Sequence, residues 1–178
     1  IGVRDALAGG RPNEALALAR QLLAGRVRDP VVLNLAGIAA YQCGDTAAAR
    51  MFLEDAAARA PKDAEICMNL ANVLAAEGDT DAALAAYAAA HDLAPGYAEP
   101  AYNMGILLSA QGRYVEAAAC FGEALERDVG HNAAAIGRAE ALRCTGDLAG
   151  ARAELEALIA RDAGNAVAHT NLAGVLLS

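Results

Sequence analysis

Few side chains in this sequence could do chemistry, and their spacing argues against most reactions. Histidine stands at His91, His131 and His169, and none has a second histidine one helical turn away, the spacing that turns two imidazoles toward one metal. Cysteine stands at Cys43, Cys67, Cys120 and Cys144 with no C-x-x-C spacing, which favours four small buried apolar side chains over a metal site or a disulfide framework. Serine is confined to Ser109 and Ser178, and neither has a credible histidine and acid to complete a nucleophilic triad. No G-x-x-x-x-G-K run exists to cradle a phosphate. The expectation is therefore a chain with no catalytic residues, no metal and no cofactor. What remains is carboxamide chemistry. An asparagine side chain donates and accepts at once, so it can pair with the backbone of an extended peptide without reading side-chain identity. Asn69, Asn103 and Asn171 stand 34 and 68 residues apart.

That interval belongs to the whole chain. Glycines fall at Gly10, Gly44, Gly78, Gly112 and Gly146, each 34 residues from the last. Five residues past each is an alanine: Ala15, Ala49, Ala83, Ala117 and Ala151. Nine past stand Ala19, Leu53, Tyr87, Phe121 and Leu155, and seven before the later glycines stand Gly37, Ala71, Gly105 and Ala139. Each interval reads as two helices of about 14 residues, roughly 21 Å each. The recurring small residues let the two backbones approach where they cross. The shared glycine suits a left-handed residue after the first helix. Asp45, Asp79 and Asp147 follow it and are placed to cap the second helix, while Glu14 and Glu116 put charge in the first turn where arginine replaces the aspartate. Arg59, Arg127 and Arg161 close the second helices, in favour with the helix dipole. Breaks fall at Pro61-Lys-Asp63, Pro95-Gly-Tyr97, Val129-Gly-His131 and Ala163-Gly-Asn165, and Pro100 is early enough in its helix to be tolerated.

Composition fits this reading. Of the 178 residues 56% are hydrophobic, but only 4% are aromatic and Trp is absent, so alanine supplies much of the apolar content and thin, closely packed helical layers result. The formal net charge of −8 argues against nucleic acid and anionic membrane as partners, since both select basic surfaces. No apolar stretch approaches the roughly 20 residues of a membrane span, so membrane insertion is not expected. Cysteine usage points to a reducing compartment, the cytoplasm, with the periplasm as the alternative if a signal sequence was removed. The abundance of Ala, Gly and Arg, with Lys62 the only lysine, suits a GC-rich bacterial genome.

The 34-residue unit resembles the tetratricopeptide repeat family. The likeness is carried by Ala101-Tyr-Asn-Met-Gly105, Gly112-Arg-Tyr-Val-Glu-Ala117, Phe121 and Ala124, and by Asn69-Leu-Ala71, Gly78-Asp79, Ala83, Tyr87, Ala90 and Pro95. It departs from the family pattern where a large aromatic often opens the unit, because Leu33, Cys67, Ala101 and Ala135 stand there. The resemblance implies an all-α, right-handed α-solenoid of antiparallel helices, eleven counting the partial repeats. One domain would span 1–178, with a partial repeat 1–29, full repeats 30–63, 64–97, 98–131 and 132–165, and a partial repeat 166–178. Because a solenoid normally ends in a polar capping helix and none follows Leu176 and Leu177, the chain reads as a fragment of a longer repeat protein.

Residues 4, 7, 8 and 11 before each glycine are expected to point at the partner helix, and those 6, 9, 10 and 13 before it lie opposite. The family resemblance implies that this opposite face lines a concave groove. The candidate partner-binding residues there are Asn34, Ile38, Met68, Asn69, Asn72, Tyr102, Asn103, Ile106, Ile136, Glu140, Arg143, Thr170 and Asn171. The asparagine spacing is similar to the ladder in the repeat arms of O-linked N-acetylglucosamine transferases, which hold extended peptides, although Leu35 and Gly137 interrupt it. Contact with a ligand and hydrogen bonding to a neighbouring helix are both open to these asparagines. Family members that grip acidic tails use several groove cations; here only Arg143 takes such a position, beside Glu140, so an apolar or mixed peptide is the expected partner. A protein-interaction scaffold is the leading expectation. A substrate-recruiting arm of a larger glycosyltransferase or sulfotransferase, and a self-assembling platform with homo-oligomeric contacts, are the alternatives.

Overall fold

A computed structural model describes residues 2–25 and 28–177, and among them it contains eleven α-helices and no strand. The helices are α1 (Val3–Ala8), α2 (Pro12–Leu23), α3 (Pro30–Gln42), α4 (Thr46–Arg59), α5 (Ala64–Glu77), α6 (Thr80–Leu93), α7 (Glu99–Ala110), α8 (Tyr114–Arg127), α9 (Asn132–Thr145), α10 (Leu148–Arg161) and α11 (Ala166–Leu176). They divide into two compact units, one through Ala94 and one from Pro95. In the first, α2 packs between α1 and α3, α4 between α3 and α5, and α6 on α5; in the second, α8 packs between α7 and α9, and α10 between α9 and α11. The first helices of successive repeats also touch one another directly, α3 with α5 in one unit, and α7 with α9 and α9 with α11 in the other. This crowding sets the first helices on the inner side of each unit's stack.

The repeating residues are the core. Ala15, Ala49, Ala83, Ala117 and Ala151 are fully buried, and Leu53, Tyr87, Phe121 and Leu155 beside them are buried too. Alanine is required where it recurs because a longer side chain would separate crossing backbones, whereas the position four residues on, one helical turn away, fills the gap between helices. The five spaced glycines all have positive φ, from +68° to +86°, a conformation that costs any other residue, so the chain turns between paired helices at the same step each time.

Capping follows the sequence with one exception. Asp45 accepts from the Ala48 amide at 3.0 Å and Asp147 from the Gly150 amide at 2.9 Å, but Asp79 makes no such bond. Its carboxylate lies 3.7 Å from the Arg50 guanidinium instead, a contact from the preceding repeat that the spacing alone did not indicate. The first helices are capped more regularly: Asp29 and Asp63 each accept from two amides, and Asn165 accepts from Ala168. His131 caps α9 through Nδ1, accepting from the Ala134 amide at 3.2 Å, so this residue of the loop is a structural group. Arg127 donates to the Pro95 carbonyl at 2.6 Å and Arg161 to the Val129 carbonyl, each tying the end of a second helix to the break turn 32 residues back.

The cap geometry yields a stability prediction. Asp63→Ala, which strips partners from the Glu65 and Ile66 amides, is expected to cost about 1 kcal/mol. Asp79→Ala, which loses only a long exposed ion pair, should cost no more than about 0.5 kcal/mol. Urea midpoints of the two variants check this, and equal shifts would contradict it.

Candidate functional site

In the first unit the candidate residues lie on α3 and α5. Asn34 is 6% exposed and Met68 7%, so both sit inside this face rather than on it. Ile38, Asn69 and Asn72 are half-buried and reach its surface. A hydrogen-bonded relay fixes the asparagines: Asn34 Nδ2 donates to Glu65 Oε1 at 3.1 Å, and Asn69 Nδ2 donates to Asn34 Oδ1 at 2.9 Å. The relay sets the flip of the Asn69 amide, with its nitrogen turned to α3 and its oxygen away from it. Tyr87 from α6 donates its hydroxyl to Asn72 Oδ1 at 2.7 Å and fixes that amide in the same way. Asn69 therefore bonds a neighbouring helix, and that bond fixes the orientation of its amide.

Between α3 and α5 lies an open cleft of about 250 Å³. Its floor is Leu53 and Val73, with Ile38 at the side; Asn69, Asn72 and Gln42 form a polar rim beside Tyr41. Leu53 comes from α4 and reaches the cleft only because residue 37 is glycine: a Cβ there would lie 2.5 Å from Leu53 Cγ. Gln42 and Tyr41, in the last turn of α3, are not among the sequence candidates, although the candidate Arg143 stands in the register of Tyr41, three residues before its glycine. Their place one further turn along the same helical stripe was the available signal.

In the second unit the candidates lie on α7, α9 and α11. Ile106 is 46% exposed, and Asn103 and Ile136 are half-buried. Tyr102 leans on the His131 ring, centroids 4.5 Å apart, and on Phe121 at 5.9 Å. Phe121 from α8 is wedged between two glycines: a Cβ on Gly105 or on Gly137 would lie 2.7 Å from the ring. This explains why the asparagine series breaks at Gly137, since the ring occupies the space a side chain there would need. On α11 Thr170 donates to its own helix at Ala166, and Asn171 is half-buried.

Charge on this face is spent internally. Arg143 donates to Glu140 through two nitrogens, at 2.9 and 2.5 Å. That bidentate bond holds the Glu140 carboxyl below its usual range and raises the guanidinium above its own. A neutralised pair is a poor clamp for an acidic tail.

All four cysteines are free, and among the described residues no group of three His, Cys, Asp or Glu could hold a metal ion. Burial pushes the Cys120 thiol up to about 11, with Glu123 and Glu116 adding to the effect, and burial raises Cys67 as well. Cys144 is exposed. Because only the thiolate reacts, roughly one Cys120 in a thousand is reactive at pH 8. Timed iodoacetamide labelling read by peptide mass should modify Cys144 first and Cys120 last. Equal rates would show that the second unit opens on the labelling timescale.

Among the described residues no helix is long and apolar enough to cross a membrane. Two family models described as tetratricopeptide repeat match the chain, one over residues 64–128 and one over 102–176. No curated protein matches the sequence significantly. Among solved structures, the crystal structure of MamA superposes with a TM-score of 0.85 at 17% identity, covering 92% of this chain and 96% of that one. A tetratricopeptide repeat protein from Parabacteroides merdae gives 0.79 at 20% identity, over 98% of this chain and 70% of that one. YrrB, described as a TPR protein with an unusual peptide-binding site, gives 0.78 at 19% identity, over 94% and 87%. At these identities the likeness shows the fold.

Proposed function

Since the chain belongs to the tetratricopeptide repeat family, we propose that it is a protein-interaction scaffold whose first helices hold an extended segment of a partner protein. The observation that carries this reading is the orientation of Asn69. Its amide is locked by the Asn34–Glu65 relay with the oxygen turned away from α3, beside an open cleft with an apolar floor. An oriented amide next to apolar relief suits an extended strand, with backbone bonds supplying affinity and side-chain pockets supplying selection. Asn103 and Asn171 repeat the position in the second unit. Ile38, Asn72, Tyr102, Ile106, Ile136 and Thr170 supply the remaining contact surface, Asn34 and Met68 support it from below, and Glu140 and Arg143 cancel one another's charge. A partner segment of apolar or mixed composition fits this surface better than an acidic tail. The description of YrrB as peptide-binding accords with the reading.

Partners recovered with the purified chain, then purified themselves, provide the test. Asn69→Ala combined with Asn103→Ala should weaken their binding while leaving helicity unchanged. Undiminished binding by the double variant rules the reading out.

A further inference from the structure

We propose that the cleft between α3 and α5 is a selectivity pocket that receives one large apolar side chain, of phenylalanine, leucine or methionine size, from an extended partner segment, while Asn69 Oδ1 accepts a backbone N–H of the same segment. The inference rests on the groove reading above and names what one part of that groove selects.

Three observations support it. The first is size: about 250 Å³ falls below the roughly 300–1,000 Å³ of sites that enclose whole small molecules, and suits a single side chain. The second is chemistry: Leu53, Val73 and Ile38 make the base and side apolar, while the rim is carboxamide and carries no charge. A lysine or glutamate side chain placed there would lose water and gain no opposite charge. The third is the molecule's own second unit. Phe121 stands where Leu53 stands one repeat pair earlier, and Gly137 where Asn69 stands. There the phenyl ring fills the space, reaching to 2.7 Å of where a Gly137 Cβ would sit. In the first unit the shorter Leu53 leaves a cleft in the corresponding place, and Asn69 stands at its edge. The fold thus already accommodates an aromatic ring at this position of the repeat, supplied from within by Phe121 beside Gly137 and not supplied by Leu53 beside Asn69.

The relay gives the pocket a polar reference point. Glu65 holds Asn34, Asn34 holds Asn69, and the amide flip of Asn69 leaves its oxygen as the acceptor presented to a ligand. The side chain in the pocket and the N–H on Asn69 would together set the register of the bound segment.

The test uses the full chain and blocked nonapeptides of serine and glutamine that carry alanine, leucine, phenylalanine, lysine or glutamate at the centre, with binding read by fluorescence anisotropy. Leucine and phenylalanine peptides should bind at least about 10-fold tighter than the alanine peptide. Lysine and glutamate peptides should bind no better than alanine. Gln42→Trp, which covers the mouth from an exposed position, should bring the leucine and phenylalanine peptides down to the alanine level. Asn69→Ala should weaken every peptide by a similar factor, about 2- to 13-fold, because it removes a backbone contact. Equal affinity for all central residues, or an apolar preference that survives Gln42→Trp, overturns the pocket. A concentration-dependent dimer dissolved by Gln42→Trp would also overturn it, by making a second copy of the chain the occupant. If no peptide binds while a recovered partner still binds the wild type and is lost on Asn69→Ala/Asn103→Ala, the pocket inference fails and the groove reading stands. If that partner is also indifferent to the double variant, both fail.

Discussion

Gly137→Asn, which would continue the series of Asn69, Asn103 and Asn171, is expected to destabilise the second unit by about 1–3 kcal/mol rather than complete a binding ladder. The new Cβ would lie 2.7 Å from Phe121 Cζ, closer than carbon atoms pack, and the ring has little room to retreat because it also packs so tightly on Gly105 that a Cβ there would clash with it. Removing the ring is costlier. Phe121→Ala leaves a hole between three helices and should cost about 3–5 kcal/mol. The two changes share one space, so they should not add. In a Phe121→Leu background, where the side chain is shorter, Gly137→Asn should cost clearly less than it does alone. Urea unfolding followed by circular dichroism measures each corner of this cycle. An unmoved midpoint for Gly137→Asn, or strict additivity with Phe121→Leu, would show that the ring is not confined as described.

Partner affinity is expected to fall roughly 5- to 150-fold in the Asn69→Ala/Asn103→Ala protein, the loss of two hydrogen bonds worth about 0.5–1.5 kcal/mol each. The two positions differ by one repeat and lie in different units, so the single variants should contribute nearly additively. Asn69 also bonds Asn34, so its removal leaves that buried amide one partner short and should lower stability slightly. Affinity and melting temperature therefore have to be measured on the same preparations. A loss of affinity in proportion to a loss of helicity would assign these asparagines to the fold alone.

The repeat, its helices and its turns were legible because each depends on a residue type with a local physical reason. Glycine recurs where φ must be positive, alanine where two backbones cross, and proline or aspartate where a helix begins. The eleven helices follow from that spacing alone. The face was less legible. Asn34 and Met68 share a stripe with residues that reach the surface, yet they are covered, because the packing of α3 on α5 narrows the accessible strip below what helical periodicity suggests. The cleft could not be read at all, since it depends on Leu53 reaching up from α4 past Gly37, a contact between two helices whose depth no linear pattern encodes. The break at Gly137 looked like an irregularity in the series and is a packing requirement. Asp79 shows the reverse error, a cap signal whose side chain is drawn to Arg50 instead.

Isoleucine methyl groups offer the most direct measurement of the central claim, because Ile38, Ile106 and Ile136 lie on first helices, Ile66 is buried at 1% exposure, and Ile159 lies on the second helix α10. On adding a purified partner to methyl-labelled protein, the resonances of Ile38, Ile106 and Ile136 should shift or broaden while those of Ile66 and Ile159 stay in place. Perturbation of Ile159 with the other three unmoved would place the partner on the opposite side of the stack and contradict the account.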